Sequence, residues 1–416
     1  MIGPVKNHRH EQVTVSIDEL VPHDHFLRTV DALIDFSFIE RIASPYYCPD
    51  NGRPAIPSIT LFKMIFIGYF YGVRSERQLE KEIRDNIAYR WFLGYSLVDR
   101  IPDHSTISFN RKGRFEDTSV FEEIFDETVR QAKAHGMVSG RVLLSDSTHI
   151  KANANKNKFI RKAKAEKVVS YLGELEEAVV ADREAHGKKP LKPKVIRPVA
   201  KTKPAMTRES VTDPDSGFLM RNQKPQGFFY LDHRTVEAVA LDAGYFTGHI
   251  CKTLNEAGTF VVMGYRRFKG GNPKVPKRLF TYVPSLDAYA CPMGCKLSYA
   301  TTDREGYRQY KSRPEDCEHC PLRSDCFSAK SKQRSIFRHI WEDEKEKVRA
   351  NKRTPSGKKL YKLRSQTIER SFADAKELHS FRYARRRGRK SVQEQAYLTA
   401  AVQNIKKMTL LLSRRV

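Results

Sequence analysis

Apolar positions recur at helical spacing through the first 136 residues. Ser75-Glu-Arg-Gln78 has the form of a capping box, and Leu79, Ile83 and Ile87 continue it as one apolar stripe, which predicts a helix. Ser119-Val-Phe-Glu122 repeats the signal ahead of Val120, Ile124, Phe125, Val129 and Ala132, with Gly136 as the stop. Pro54, Pro57 and Pro102 separate the helical pieces. From residue 141 the pattern changes to short apolar runs. Arg141–Ser147 predicts a buried strand that ends at Asp146. Gly227–Leu231 and Val236–Leu241 predict two more strands, the second closed by Asp242. A helix over 248–257 follows, stopped by Gly258, and then a strand over 259–263. Strand, acid, helix and strand in that order read as a mixed α/β sheet. Residues 358–413 return to helix, interrupted by the basic run Arg382–Lys390, and no internal repeat is visible.

Length and charge narrow this picture. A chain of 416 residues is long enough for two or three domains. Lys and Arg outnumber Asp and Glu by 75 to 49, a net charge of +26, which favours a polyanionic partner through counterion release and long-range attraction. An acidic substrate or an anionic membrane surface needs fewer cations along a whole chain. The longest apolar stretch, Leu61–Val73, is too short to span a bilayer and contains Lys63, and the first residues lack a signal-peptide core. A cytoplasmic, nucleoid-associated protein is therefore expected, with no membrane contact. Residues 185–208 hold eight cations, four prolines and no acid, as an exposed loop along phosphates or a solvated linker would.

The candidate chemistry lies in acids and thiols. Asp146 and Asp242 each follow an apolar run, where ligands gather in open α/β sheets, so the two could share a divalent cation; either could instead cap a turn. Glu369 lies beside the apolar stripe Ile368, Phe372 and Ala375 of a late helix, positioned to reach inward or to pair with a surface cation. Five of the seven cysteines fall between 291 and 326, too local for a secreted disulfide framework. Cys317 and Cys320 form a C-x₂-C knuckle that upstream thiols would complete as a tetrahedral site; reduced cysteines in an irregular insertion are the alternative. Cys48 reads as a lone buried thiol. Phe381–Lys390 interleaves aromatics with guanidinium groups, which suits phosphate contact through Arg382, Arg385, Arg386 and Arg387, or a solvated cationic turn.

These motifs together resemble the DDE-type transposases of bacterial insertion sequences, in the group with a Cys-rich insertion ahead of the last catalytic helix. The resemblance is carried by Gly52-Arg-Pro-Ala-Ile-Pro57, Arg74–Glu80, Ile101–Ile107, Leu144–Asn153, Ala240–Tyr245 and the series Tyr361, Arg364, Glu369, Lys376, so it covers nearly the whole chain. It implies an RNase H-like α/β core in which Asp146, Asp242 and Glu369 hold Mg²⁺ or Mn²⁺, with Tyr361, Arg364 and Lys376 on DNA phosphates. It also implies a structural Zn²⁺ on Cys291, Cys317, Cys320 and Cys326, with Cys295 spare, and a homodimer acting on paired ends of double-stranded DNA. The organisation expected is a helical DNA-binding region over 1–136, the first part of the core over 137–264 with a basic loop at 151–209, a Cys-rich insertion over 265–345, and C-terminal helices over 346–416.

This sequence departs from the family pattern in two places. Four residues rather than three separate Arg364 from Glu369. More seriously, Tyr230–Val236 runs directly into Glu237–Asp242, leaving no room for the further strand and helix that family members carry there. An internal deletion at 236–237 would remove a strand of the sheet and misplace Asp242 relative to Asp146. Three functions are therefore weighed besides a transposase that cleaves and joins DNA: an inactive DNA-binding derivative acting as a repressor, a metal-dependent nuclease, and a zinc-binding RNA module, for which stacking platforms are not evident.

Overall fold

The computed structural model describes residues 11–48, 50–52, 54–138, 144–163, 171–191, 206–220, 226–236, 240–265, 275–328 and 331–414. The basic stretch 192–205 and the join at 237–239 lie outside them.

Eight helices open the chain: α1 (Ile17–Leu20), α2 (Phe26–Leu33), α3 (Phe38–Ala43), α4 (Ser58–Phe70), α5 (Glu76–Asp85), α6 (Ile87–Leu93), α7 (His104–Phe109) and α8 (Val120–Ala134). The apolar stretch around residue 65 becomes α4, whose side chains from Leu61 to Phe70 are buried almost all round, as a helix apolar on every face must be. Helix starts fall where expected, but neither predicted capping box forms. Ser75 makes no side-chain cap, and Ser119 adopts a helical backbone conformation with its hydroxyl turned to Glu123. The reciprocal box occurs instead at Ser16 and Glu19. Asn86 closes α5 and caps α6, so Ile87 begins a new helix rather than extending the old one. Cys48 is exposed, because the chain there has already left the packed face of α3.

The central sheet contains β1 (Leu144–Lys151), followed by a ribbon of β2 (Phe159–Ala163) and β3 (Met206–Ser210), with α9 (Tyr171–Ala185) between the two ribbon strands in sequence. Its remaining strands are β4 (Gly217–Leu219), β5 (Gly227–Val236), β6 (Ala240–Leu241) and, after α10 (Gly248–Glu256), β7 (Val262–Met263). Their order is β4-β5-β1-β6-β7. Strand β1 passes through Asp146 rather than ending there, because it alternates buried Thr148 and Ile150 with half-exposed neighbours and stays paired to β5 along its length. The strand expected over 236–241 divides: Val236 belongs to β5, and among the described residues only Ala240 and Leu241 form β6.

A second five-stranded antiparallel sheet forms the Cys-rich unit: β8 (Thr281–Val283), β9 (Ala288–Ala290), β10 (Lys296–Thr302), β11 (Tyr307–Ser312) and β12 (Ser335–His339), with short helices α11 (Pro314–Glu318) and α12 (Arg323–Cys326). Helices α13 (Glu342–Arg353), α14 (Pro355–Leu378) and α15 (Arg389–Leu412) complete the chain. Thr354 ends α13 and caps α14 through its hydroxyl, with Pro355 at the first turn, so the two helices meet at a sharp corner. Helix α14 lies on the central sheet, where Ile368 and Phe372 pack on Ala240 and Ala375 packs with Ile150. Helix α15 begins on the same sheet, where Val392 joins Ile150 and Ala375, and then leaves it: Leu398, Val402, Ile405 and Met408 are buried in the first helical core beside Phe121 and Ile124 of α8. The C-terminal segment thus packs on both the sheet and the N-terminal helices.

Candidate active site

Parallel pairing joins β1 to β6 only at Leu144↔Ala240 and Ser145↔Leu241. The next residue on each strand is an aspartate, Asp146 and Asp242, so the two acid positions stand side by side where the pairing stops. The expectation that Asp242 would be misplaced is not met in this register. Val236 and Ala240 flank Leu144 on opposite sides, with three residues of sequence between them. Two strand spacings are roughly 10 Å, and four Cα steps reach up to about 15 Å, so the short link suffices.

The third acid arrives from α14. Burial of Ile368 against Ala240 puts Glu369 at the edge of the same strand end, with its side chain 48% exposed, close to the 44% of Asp242. Arg364 lies beneath both. Its guanidinium donates to Glu369 Oε1 at 2.7 Å and lies 4.0 Å from Asp242 Oδ1, while the Arg364 side chain is only 7% exposed. Arg364 therefore faces the acids rather than the solvent, and brings two carboxylates to one cationic centre. Lys376 donates to Thr148 Oγ1 of β1, and burial lowers its pKa. Tyr361 is half-buried, its hydroxyl beside Gly264, whose N–H continues the sheet by donating to Leu241 O at 3.1 Å.

The basic run after α14 divides. Arg382 is exposed and paired with Glu377, and Arg387 is exposed with Nε donating to Asn153 O at 2.9 Å. Arg385 and Arg386 turn inward. Arg385 stacks 4.0 Å over the Tyr69 ring and donates to Gly68 O, and Arg386 pairs with Glu394. The two middle guanidinium groups turn toward the helices, while Phe381 and Ala384 anchor the segment beneath them.

The five clustered cysteines line one small cavity with Val275, Phe280 and Leu297. The Cys295 N–H donates to Cys291 Sγ at 3.2 Å. Burial pushes the Cys326 and Cys295 thiols up, and neighbouring thiols add to the effect. Among the described residues, Glu80, Asp103 and His104 bring three donor atoms together within 4.8 Å. They are already satisfied: Glu80 accepts from the His104 backbone and Nδ1, each at 3.0 Å, and Arg77 donates to Nε2. That cluster is a hydrogen-bonded lock between α5 and α7.

Two residues near the acids escaped sequence reading, Lys352 and Gly264. Lys352 sits in the charge-rich segment Glu342–Arg353, where spacing alone marks a solvated face. Gly264 carries only the weak signal of a glycine at a strand end.

The family described as "Transposase domain (DUF772)" matches residues 15–113, and the one described as "Transposase DDE domain" matches residues 290–409. The second match contains Tyr361, Arg364, Glu369 and Lys376; Asp146 and Asp242 lie in the interval that neither covers. No curated protein and no solved structure matches the chain.

Proposed function

The chain belongs to the DDE-type insertion-sequence transposases, and from that premise we propose that Asp146, Asp242 and Glu369 form its catalytic centre for cleaving and joining the ends of its element. As a DNA transposase it acts on DNA, and the family uses divalent metal ions. The observation that supports this assignment best is the convergence of Asp242 and Glu369 on Arg364, with the β1–β6 register setting Asp146 beside Asp242. Exposed carboxylate oxygens are hard ligands suited to Mg²⁺ or Mn²⁺. Two such ions, when bound, activate the attacking oxygen and relieve charge on the leaving one.

The protein's own residues prepare this step. Asp146, Asp242 and Glu369 would hold the ions. Arg364 neutralises the clustered carboxylates and fixes their separation. Tyr361, Lys376, Arg382 and Arg387 would engage phosphates along the strand, while Arg385 and Arg386 brace the segment from inside. The helices between residues 17 and 134 would bind the element's terminal repeats, as a homodimer on paired ends. In the Cys-rich unit, Cys291, Cys317, Cys320 and Cys326 would hold a structural Zn²⁺, with the Cys295 amide steadying the Cys291 sulfur.

One observation favours a weakened enzyme. Strand β4 covers β5 only from Gly227 to Phe229, and among the described residues no strand pairs with the outer edge from Tyr230 to Val236. The family resemblance expects a further strand and helix in this part of the chain. We therefore infer that this copy binds element ends and joins them slowly, with a DNA-binding repressor as the limiting case. The deciding experiment is cleavage and joining of a labelled element end with Mg²⁺, run beside Asp146→Ala. Joined product that disappears in the variant supports a working transposase; binding without product in either supports the repressor. Cut ends without joining point to a nuclease.

A further inference from the structure

We propose that Lys352 is an additional seat for the DNA backbone at the rim of the active site, acting beside Tyr361; this rests on the reading of Asp242 and Glu369 as catalytic. Lys352 lies in the last turn of α13, which packs on the sheet through Val348 and through Asn351, whose side chain donates to Val261 O at 3.1 Å. The corner at Thr354 then folds α14 back, so the Lys352 ammonium lies 3.8 Å from the centroid of the Tyr361 ring and 5.4 Å from that of Tyr265.

Apart from the exposed Arg353, the other cations of this helix are neutralised. Lys345 and Arg349 pair with Glu342, and Lys347 pairs with Glu344. The groups that act on Lys352 are Tyr265 and Arg364, with no carboxylate among them. A half-buried ammonium held by ring faces keeps most of its charge unspent. Partial burial and the Arg364 charge both lower its pKa, as expected for a cation lacking an anion.

The neighbouring geometry indicates which anion belongs there. A side chain at Gly264 would bring Cβ within 2.6 Å of the Tyr361 hydroxyl, so the glycine lets that phenol lie against the strand end next to Ala243. Lys352, Tyr361 and Arg364 then form a sequence from rim to acids, Arg364 ending it on Glu369 at 2.7 Å. A nucleic-acid strand reaching the carboxylates brings a phosphate past the uncompensated ammonium. The ligand class is a backbone phosphodiester, which carries charge but no base identity.

The test uses the full-length protein and an element-end duplex without divalent metal. In a salt titration, the slope of log K against log salt should become less steep by about 0.9 in Lys352→Gln, the value of one lost phosphate contact. Lys352→Arg should keep the wild-type slope. Acetylation footprinting of the unaltered protein supplies a second measurement that needs no variant: bound duplex should protect Lys352. An unchanged slope in folded Lys352→Gln, or equal acetylation of Lys352 with and without duplex, overturns the proposal. The underlying reading fails separately, if Asp242→Asn still yields metal-dependent product.

Discussion

Gly264 stands where one methyl group would meet the Tyr361 hydroxyl at 2.6 Å, and its backbone is not in a conformation reserved for glycine. Gly264→Ala should therefore act by displacing Tyr361. We expect end-cleavage rates to fall about tenfold to a hundredfold, with thermal stability little changed, measured by single-turnover cleavage and a melting curve. The nearness of Asp242 to Glu369 was expected from the family resemblance, since spacing alone left Glu369 equally able to pair with a surface cation. The direction of a guanidinium was not. Arg364, Arg385 and Arg386 all read as DNA contacts, yet the structure turns them toward Glu369, Tyr69 and Glu394. Tyr69 is distant in the chain and Glu394 lies beyond the turn at Gly388, so no local pattern announces those two; Glu369 is five residues on in the same helix, but spacing does not fix which way its side chain turns.

Among the secondary-structure elements, Asp287 ties α9 to the second sheet. Its carboxylate accepts from the Tyr282 and Tyr310 hydroxyls, both at 2.6 Å, and from His186 Nε2 at 2.7 Å. Burial alone would raise its pKa, but the three donors reverse this and hold it below the ordinary 3.8. Stability from this contact is thus present above about pH 4 and lost as pH falls through the depressed value. Near-UV circular dichroism of the tyrosines should report that loss on acidification. Asp287→Ala should lower stability by about 1–3 kcal/mol, read from denaturant unfolding, by leaving the phenols without their acceptor. The starts of α5, α8 and α10 were legible from periodicity and Gly punctuation. The side-chain caps were not, since Ser119 has a nearer acceptor in Glu123. Strand β1 was cut short in the sequence reading because its apolar run ends before its hydrogen-bonded ladder does.

Across the whole molecule, the first and last helical segments form one core. Arg111, beside α7, is buried against Glu394 of α15, with Glu76 as a second partner. Glu394→Leu should cost about 3–5 kcal/mol by stranding that guanidinium. The double variant Arg111→Met/Glu394→Leu should lose less than the sum of the single changes; thermal unfolding of the three variants checks both statements. Helical periodicity revealed that α15 has an apolar face but not which distant surface receives it. The net charge of +26 was equally plain in sequence, whereas its partition into paired and unpaired cations required the fold. The shared core also bears on the order of synthesis. The N-terminal helices are made before α15, so the groove for Leu398, Val402, Ile405 and Met408 stays open until that helix has been synthesised. Chains that stop short of α15 leave that groove exposed to aggregation and proteolysis. A chain able to close that groove with α15 therefore already carries Glu369.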